Sequence, residues 1–196
     1  MIVLASGSAA RRAMLEQAGV AFAVGVAAVD EDAVKAALRT ETDNPARAAE
    51  ALAELKAVRV SARHPGAIVV GADQMLDCDG RWFDKPSTPA DARAQLATLR
   101  NRRHRLTSAV VAVRDGRRLW HHTEPAWLTM RAFSDAFLDR YLEQAGELVL
   151  SSVGAYQLEG LGAQLFLAVE GDFFTILGLP LLALLDFLRE NGELVP

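Results

Sequence analysis

The segment Ala67-Ile68-Val69-Val70-Gly71-Ala72 carries no polar side chain and is β-branched through its centre. Such a run reads as a strand buried on both faces. The rest of the chain supplies matching parts. Met1 to Ala5 is a short apolar strand, Ser6-Gly7-Ser8 a small-residue loop, and a helix begins at Ala9. Val20 to Val24 reads as a second short strand. Asn44-Pro45 and Thr88-Pro89 each place a capping side chain before a proline at the first helical position, which loses no hydrogen bond there. The helices they start run to about Arg63, ahead of His64-Pro65-Gly66, and to Leu99. Leu106–Val113 and Leu119–Met130 read as a strand pair turning near Asp115-Gly116. Ser134 caps a helix to Gln144 with Gly146 as terminator; strands follow near Phe166–Val169 and Phe173–Leu177, then a helix from Pro180 to Glu190. The order is mixed α/β without a clean strand–helix–strand repeat, internal repeat or long linker.

A length of 196 residues suits one compact domain or two tightly packed lobes, and 51% hydrophobic residues provide a sizeable core. No apolar run reaches the ~18 residues of a membrane span. The basic pair Arg11–Arg12 follows the apolar start instead of preceding it, which does not fit a secretory signal. One cysteine, Cys78 in the polar run Asp77 to Gly80, excludes an internal disulfide and a cysteine-rich metal site. A cytoplasmic protein is expected. The net charge of −4 argues against a general nucleic-acid surface, so any cations aimed at a ligand must be local.

Several segments suggest where such cations act. Ser6-Gly7-Ser8 directs free amides and a helix start toward one point, a geometry suited to an anion, although a tight turn with solvated arginines is the plainer alternative. Arg11 and Arg12 in the first helical turn oppose the helix dipole unless something negative compensates them. Asp30-Glu31-Asp32 follows the second strand and Asp73 ends the buried one. Acids at strand ends can hold a hydrated Mg²⁺ against phosphate oxygens, or can be an exposed turn and a cap. Lys56 in an alanine-rich helix and Lys85 before Pro86 are either phosphate ligands or ordinary surface lysines. Arg100 to Arg105 is a basic cluster, read as a solvated connector. His64, His121 and His122 lack a second ligand at metal-site spacing. The glycines from Gly154 to Gly162, and those in Glu170-Gly171-Asp172 and Gly178-Leu179-Pro180, mark pocket walls or simple turns.

Taken in order, these segments resemble the Maf family of nucleotide pyrophosphatases over nearly the whole chain. The resemblance is carried by Leu4-Ala5-Ser6-Gly7-Ser8 with Arg11, Val29-Asp30-Glu31, Leu55-Lys56-Ala57, Gly71-Ala72-Asp73-Gln74 and Lys85-Pro86. The Gly154–Gly162 run, Glu170-Gly171-Asp172 and Gly178-Leu179-Pro180-Leu181 complete it. It implies a single domain over residues 1–196, with a mixed central sheet, flanking helices and two lobes around a nucleotide-binding cleft (Maf/ITPase-like). It also implies hydrolysis of nucleoside triphosphates between the α- and β-phosphates with Mg²⁺ or Mn²⁺, and a possible homodimer. By position, Asp73 corresponds to the proton acceptor, Ser6, Arg11, Lys56 and Lys85 to phosphate-handling residues, and Glu31 to a metal or water partner. Glu31 and Asp73 are the implied metal ligands.

Three pocket positions separate branches of the family. Here they are Ala10, Gln74 and Glu159, of which Gln74 and Glu159 match the branch similar to 7-methyl-GTP pyrophosphatases. A carboxylate accepts hydrogen bonds from guanine N1–H and the 2-amino group and suits a cationic methylated purine. Ala9 and Ala10 depart from the family pattern, and a dTTP/UTP pyrophosphatase stays open. So does a nucleotide-binding regulator of septum formation with little turnover. RNA binding through Arg100 to Arg105 is a weaker idea, disfavoured by the acidic charge balance.

Overall fold

A computed structural model describes residues 1–195; Pro196, the last residue of the expected single domain, lies outside them. Among the described residues, seven strands form one sheet in the order β2-β1-β3-β5-β6-β7, with β4 paired to β3. The strands are β1 (Ile2–Leu4), β2 (Phe22–Val24), β3 (Ile68–Cys78), β4 (Arg81–Phe83), β5 (Arg103–Arg114), β6 (Arg117–Met130) and β7 (Phe166–Glu170). The helices are α1 (Ala9–Gln17), α2 (Glu31–Glu41), α3 (Pro45–Ser61), α4 (Pro89–Leu99), α5 (Asp135–Ala145), α6 (Phe173–Ile176) and α7 (Leu181–Glu190). β1 runs parallel to both β2 and β3, whereas β4 is antiparallel to β3 and β7 to β6. The sheet is therefore mixed, as expected. No helix among the described residues is long and apolar enough to cross a membrane.

The chain divides into two compact units. The first comprises Met1–Gln74, Thr107–Glu124 and the segment from Asp172 onward; the second comprises Met75–Leu106 and Pro125–Gly171. In the first unit, the two-residue period of β3 sorts its side chains onto opposite faces. Ile68, Val70 and Ala72 join a core with Ile2 and Leu4 of β1, Met14 and Leu15 of α1, and Leu184 and Leu188 of α7. Gly71, on the other face, lies against α3: a Cβ built on it would stand 2.1 Å from the Ala53 carbonyl oxygen and 2.9 Å from the Ala57 Cβ. The buried stripe Ala49, Leu52, Ala53, Lys56, Ala57 and Val60 recurs at helical spacing. Its small residues at Ala53 and Ala57, facing a glycine, bring α3 onto the strand.

In the second unit, β3 turns into β4 through Asp79 (φ 51°) and Gly80 (φ 80°). Positive φ at both central residues is the hairpin turn whose twist matches the strands, and Asp-Gly is its usual sequence. Asp115 and Gly116 repeat the geometry between β5 and β6, where the sequence places the turn. His104 of β5 is fully buried, with its Nε2 2.7 Å from the Tyr156 hydroxyl and its Nδ1 lacking a partner. Burial pushes its pKa down to about 4.

Four sequence expectations change. Asp73 does not end a strand: β3 continues to Cys78, because Leu76, Asp77 and Cys78 pair with Phe83, Trp82 and Arg81. Phe173–Ile176 is helical, since Asp172 caps it by accepting a 2.7 Å bond from the Thr175 amide, and that local bond overrides an aromatic, β-branched composition. Asp30 caps α2 in place of an acidic turn, its carboxylate accepting from the Ala33 amide. Arg100 to Arg105 is a connector only as far as residue 102, after which β5 begins, and its arginines are paired: Arg100 with Asp135, Arg102 with Asp79, Arg103 with Glu170 and Arg105 with Asp77. The guanidinium groups of Arg103 and Arg105 also stack on Trp127.

Two outcomes follow from this packing. Gly71→Ala is expected to lower unfolding free energy by about 1–3 kcal/mol through overpacking against the α3 backbone, measured by denaturant titration. His104 binds protons more readily unfolded (pKa about 6.5) than folded, so its contribution is present above that value and lost as pH falls toward about 4. Denaturation midpoints at pH 7 and 4.5 should therefore fall less for His104→Gln than for the unaltered chain.

Candidate active site

The site residues of the first unit assemble around two buried cations. Lys56 reaches the face of β3 that carries Gly71 and, two residues on, Asp73. Its ammonium donates to Asp73 Oδ1 at 2.7 Å and pairs with Glu31 Oε1 at 2.9 Å. Lys56 is 9% exposed and Asp73 5%. The first turn of α2 presents Glu31, and the Asp30 cap fixes where that turn begins. The second oxygen of Asp73, Oδ2, is buried and has no hydrogen-bond partner. Leaving such an oxygen unsatisfied costs about 1–3 kcal/mol, so it is a ready acceptor for a water proton or a hard cation.

Arg11 is the second cation. Ser8 caps α1 by accepting from the Arg11 amide, and the Arg11 side chain turns back to donate from Nε to the Gly178 carbonyl (2.7 Å) and from one terminal nitrogen to Ser6 Oγ (3.1 Å). Burial lowers its pKa, while the charges of Asp73 and Glu31 raise it. The arginine that opposes the α1 dipole is thus compensated from within the protein. Arg12 is exposed. Arg11, Lys56, Glu31 and Asp73 form a formally neutral quartet, floored by the Ser6-Gly7-Ser8 loop where β1 ends.

Gln74 follows Asp73 in the strand, so its side chain leaves the opposite face of the sheet. Its amide nitrogen donates to Ser108 Oγ at 3.0 Å, the Ile176 carbonyl at 2.9 Å and the Thr175 carbonyl at 3.2 Å. Carbonyl oxygens only accept, which fixes the amide orientation and aims Oε1 away from them. Ser108 donates its own proton to the Thr175 carbonyl, and the Thr175 hydroxyl donates to Glu124. Ala10 lies half-buried in the first turn of α1. Lys85, between β4 and α4, and Glu159, in the turn before Gly160, are exposed residues of the second unit.

A family description of Maf-like proteins matches residues 1–191. The chain belongs to the Maf-like family. It is 77% identical, over 99% of its length and 100% of the relative's, to a nucleoside triphosphate pyrophosphatase of Paramagnetospirillum magneticum. A nucleoside triphosphate pyrophosphatase of Granulibacter bethesdensis is 54% identical over 98% of both chains. A 7-methyl-GTP pyrophosphatase of Rhizobium etli is 50% identical over 98% of this chain and 97% of its own.

Within this Maf-like chain, Ser6, Arg11, Lys56, Glu31 and Asp73 come together as the sequence suggests. Sequence reasoning missed Gly178 as the carbonyl that holds Arg11, and Ser108 and Thr175 as the anchors of Gln74. The only signal for the first was a Gly178-Leu179-Pro180 turn; for the others there was none, because both are small residues in long-range contact. Among the described residues no group of three or more His, Cys, Asp or Glu is gathered to hold a metal. The carboxylate pair Glu31 and Asp73, with the unpartnered Asp73 Oδ2, is the donor set available, and it suits a hard cation that takes its remaining ligands from water and phosphate.

Arg11→Lys is expected to destabilise the fold by about 1–3 kcal/mol, because an ammonium cannot reproduce the fork that spans Gly178 and Ser6. A denaturation curve for that variant measures the loss.

Proposed function

We propose that this Maf-like chain, acting as one domain, hydrolyses nucleoside triphosphates between the α- and β-phosphates to give the monophosphate and pyrophosphate. The observation that carries the reading is the Lys56 bridge between Glu31 and Asp73 beside the Ser6–Arg11 loop. Phosphoryl chemistry demands little covalent help. It needs cations and amides to neutralise spreading charge, and a positioned water. In this reading the Gly7 amide and the start of α1 receive a phosphate, and Lys56 supplies positive charge to its oxygens. Lys85, a residue of the second unit, is assigned to phosphate handling by the family resemblance alone. Arg11 holds the loop and contributes its field from within the protein. Asp73 keeps Oδ1 on Lys56 and uses Oδ2 either to take the proton of the attacking water or to hold a cation. Glu31 and Asp73 would ligate Mg²⁺ or Mn²⁺, which when bound neutralises charge on the phosphate oxygens.

For the nucleobase, we favour 7-methyl-GTP or a related modified nucleotide. Gln74, with its amide nitrogen pinned, offers Oε1 as a fixed acceptor, and Glu159 offers an exposed carboxylate suited to a guanine edge or a methylated, cationic purine. The similarity to the 7-methyl-GTP pyrophosphatase of Rhizobium etli supports that preference. The protein is expected to act in the cytoplasm, with a nucleotide and no nucleic acid or membrane as its partner, as a monomer or homodimer.

Pyrophosphate release with Mg²⁺ or Mn²⁺ across 7-methyl-GTP, GTP, dTTP, UTP, CTP and ATP tests both levels. The expected order has 7-methyl-GTP first. A preference for dTTP and UTP would retain the reaction and overturn the pocket assignment; no release from any of them would point to a regulatory nucleotide-binding role. Asp73→Asn and Lys85→Ala should each lower turnover by about tenfold or more in folded protein. A normal rate in folded Asp73→Asn would remove the aspartate from the chemistry.

A further inference from the structure

Lys56 stands where a divalent cation would stand. Its ammonium is within hydrogen-bond distance of one oxygen from each of Asp73 and Glu31, so both oxygens already converge on a single positive centre. An ion held by the same two oxygens at about 2.0–2.2 Å would lie in repulsive contact with that ammonium. Arg11 adds a second buried positive charge that interacts with both carboxylates. The quartet is neutral without a ligand, and a dication entering alone would leave two uncompensated charges beside the buried Lys56, Arg11 and Asp73, the Glu31 carboxylate alone being half exposed. A polyphosphate changes the balance, because its oxygens attract the Lys56 ammonium and offer the ion further ligands.

We propose that Lys56 is an internal counter-ion that closes the Glu31–Asp73 pair to divalent cations in the nucleotide-free protein and releases it when a polyphosphate draws the ammonium away. Metal and nucleotide then bind with positive coupling, each favouring the other by the same factor. Asp73 Oδ2, which is unpartnered, offers an ion only one protein ligand while the ammonium keeps Asp73 Oδ1 and Glu31 Oε1. The inference rests on the pyrophosphatase reading for what the ion is used for, but its test does not depend on turnover.

The test is Mn²⁺ binding to the nucleotide-free full chain, followed by the electron-spin signal of free Mn²⁺ and by calorimetry. Lys56→Met is expected to bind Mn²⁺ about tenfold or more tightly than the unaltered chain, a gain within the usual range of coupling between sites. The gain should vanish in the double variant Lys56→Met, Asp73→Asn. Mn²⁺ should also raise the thermal midpoint of Lys56→Met by more than that of the unaltered chain. Removing one partner from a buried ion pair is destabilising, so Lys56→Gln, which keeps a donor for Asp73, provides a second folded probe. Equal or weaker Mn²⁺ binding by either folded variant overturns the proposal, as do variants that stay unfolded even with Mn²⁺ present. Pyrophosphate release by the unaltered chain is scored separately: its absence would sink the enzymatic reading, whereas unchanged Mn²⁺ affinity in an active protein sinks only the counter-ion role.

Discussion

A lysine and an aspartate hidden from water are tolerable only while each keeps the other within hydrogen-bond distance, since either charge left alone costs several kcal/mol (about 3–5 in measured cases). In this chain that distance is set by backbone packing. Gly71 and the alanines at 53 and 57 bring α3 onto β3, and Lys56 and Asp73 extend from the same two elements, each within a turn or a pleat of the contact. A bulkier residue at position 71 would move the lysine away from the aspartate even though it touches neither. The chemistry of the first unit thus depends on a contact that contains no functional group.

The same unit manages its charges internally. Arginine in the first turn of a helix is unfavourable by itself, and so is a desolvated carboxylate. Bringing Arg11 and Lys56 beside Glu31 and Asp73 resolves both problems at once, and the arginine also fastens the Ser6 loop to the Gly178 turn. Polarity on the other face of β3 is handled differently. Gln74, Ser108 and Thr175 satisfy one another through neutral hydrogen bonds, ending on Glu124 near the edge of the network. A charged cluster and a neutral one are therefore mounted on consecutive residues of one strand.

Much of this was legible in the residues. Apolar runs, proline-marked helix starts and Asp-Gly turns report local energetics, and α3, α4, β5 and β6 follow from them closely. Lys56 and Asp73 stood out only weakly as charges amid apolar residues, and it was the resemblance of their motifs to the Maf family that marked them as site residues. What could not be read was long-range satisfaction. Nothing local in Phe173-Phe174-Thr175-Ile176 says that a cap at Asp172 will outweigh strand-like composition, nor that Gly178 will give its carbonyl to an arginine more than a hundred positions earlier. The extension of β3 past Asp73 likewise depends on a partner, β4, that is only three residues long. The arginines from 100 to 105 resemble a solvated run because their acidic partners are scattered over three other segments.

The alternation of Asp73 and Gln74 across the sheet has a bearing on how such a sequence can change over time. Substitution at either position alters one face and leaves the other intact. Loss or gain of a single residue between the end of α3 and Asp73 is another matter, because the strand can restore its pairing with β1 only by shifting one place, and one place inverts every side chain. The acid would then face the apolar core and the amide would face the lysine. A change of length at that point therefore costs the whole site, whereas an exchange of residue type touches one face at a time.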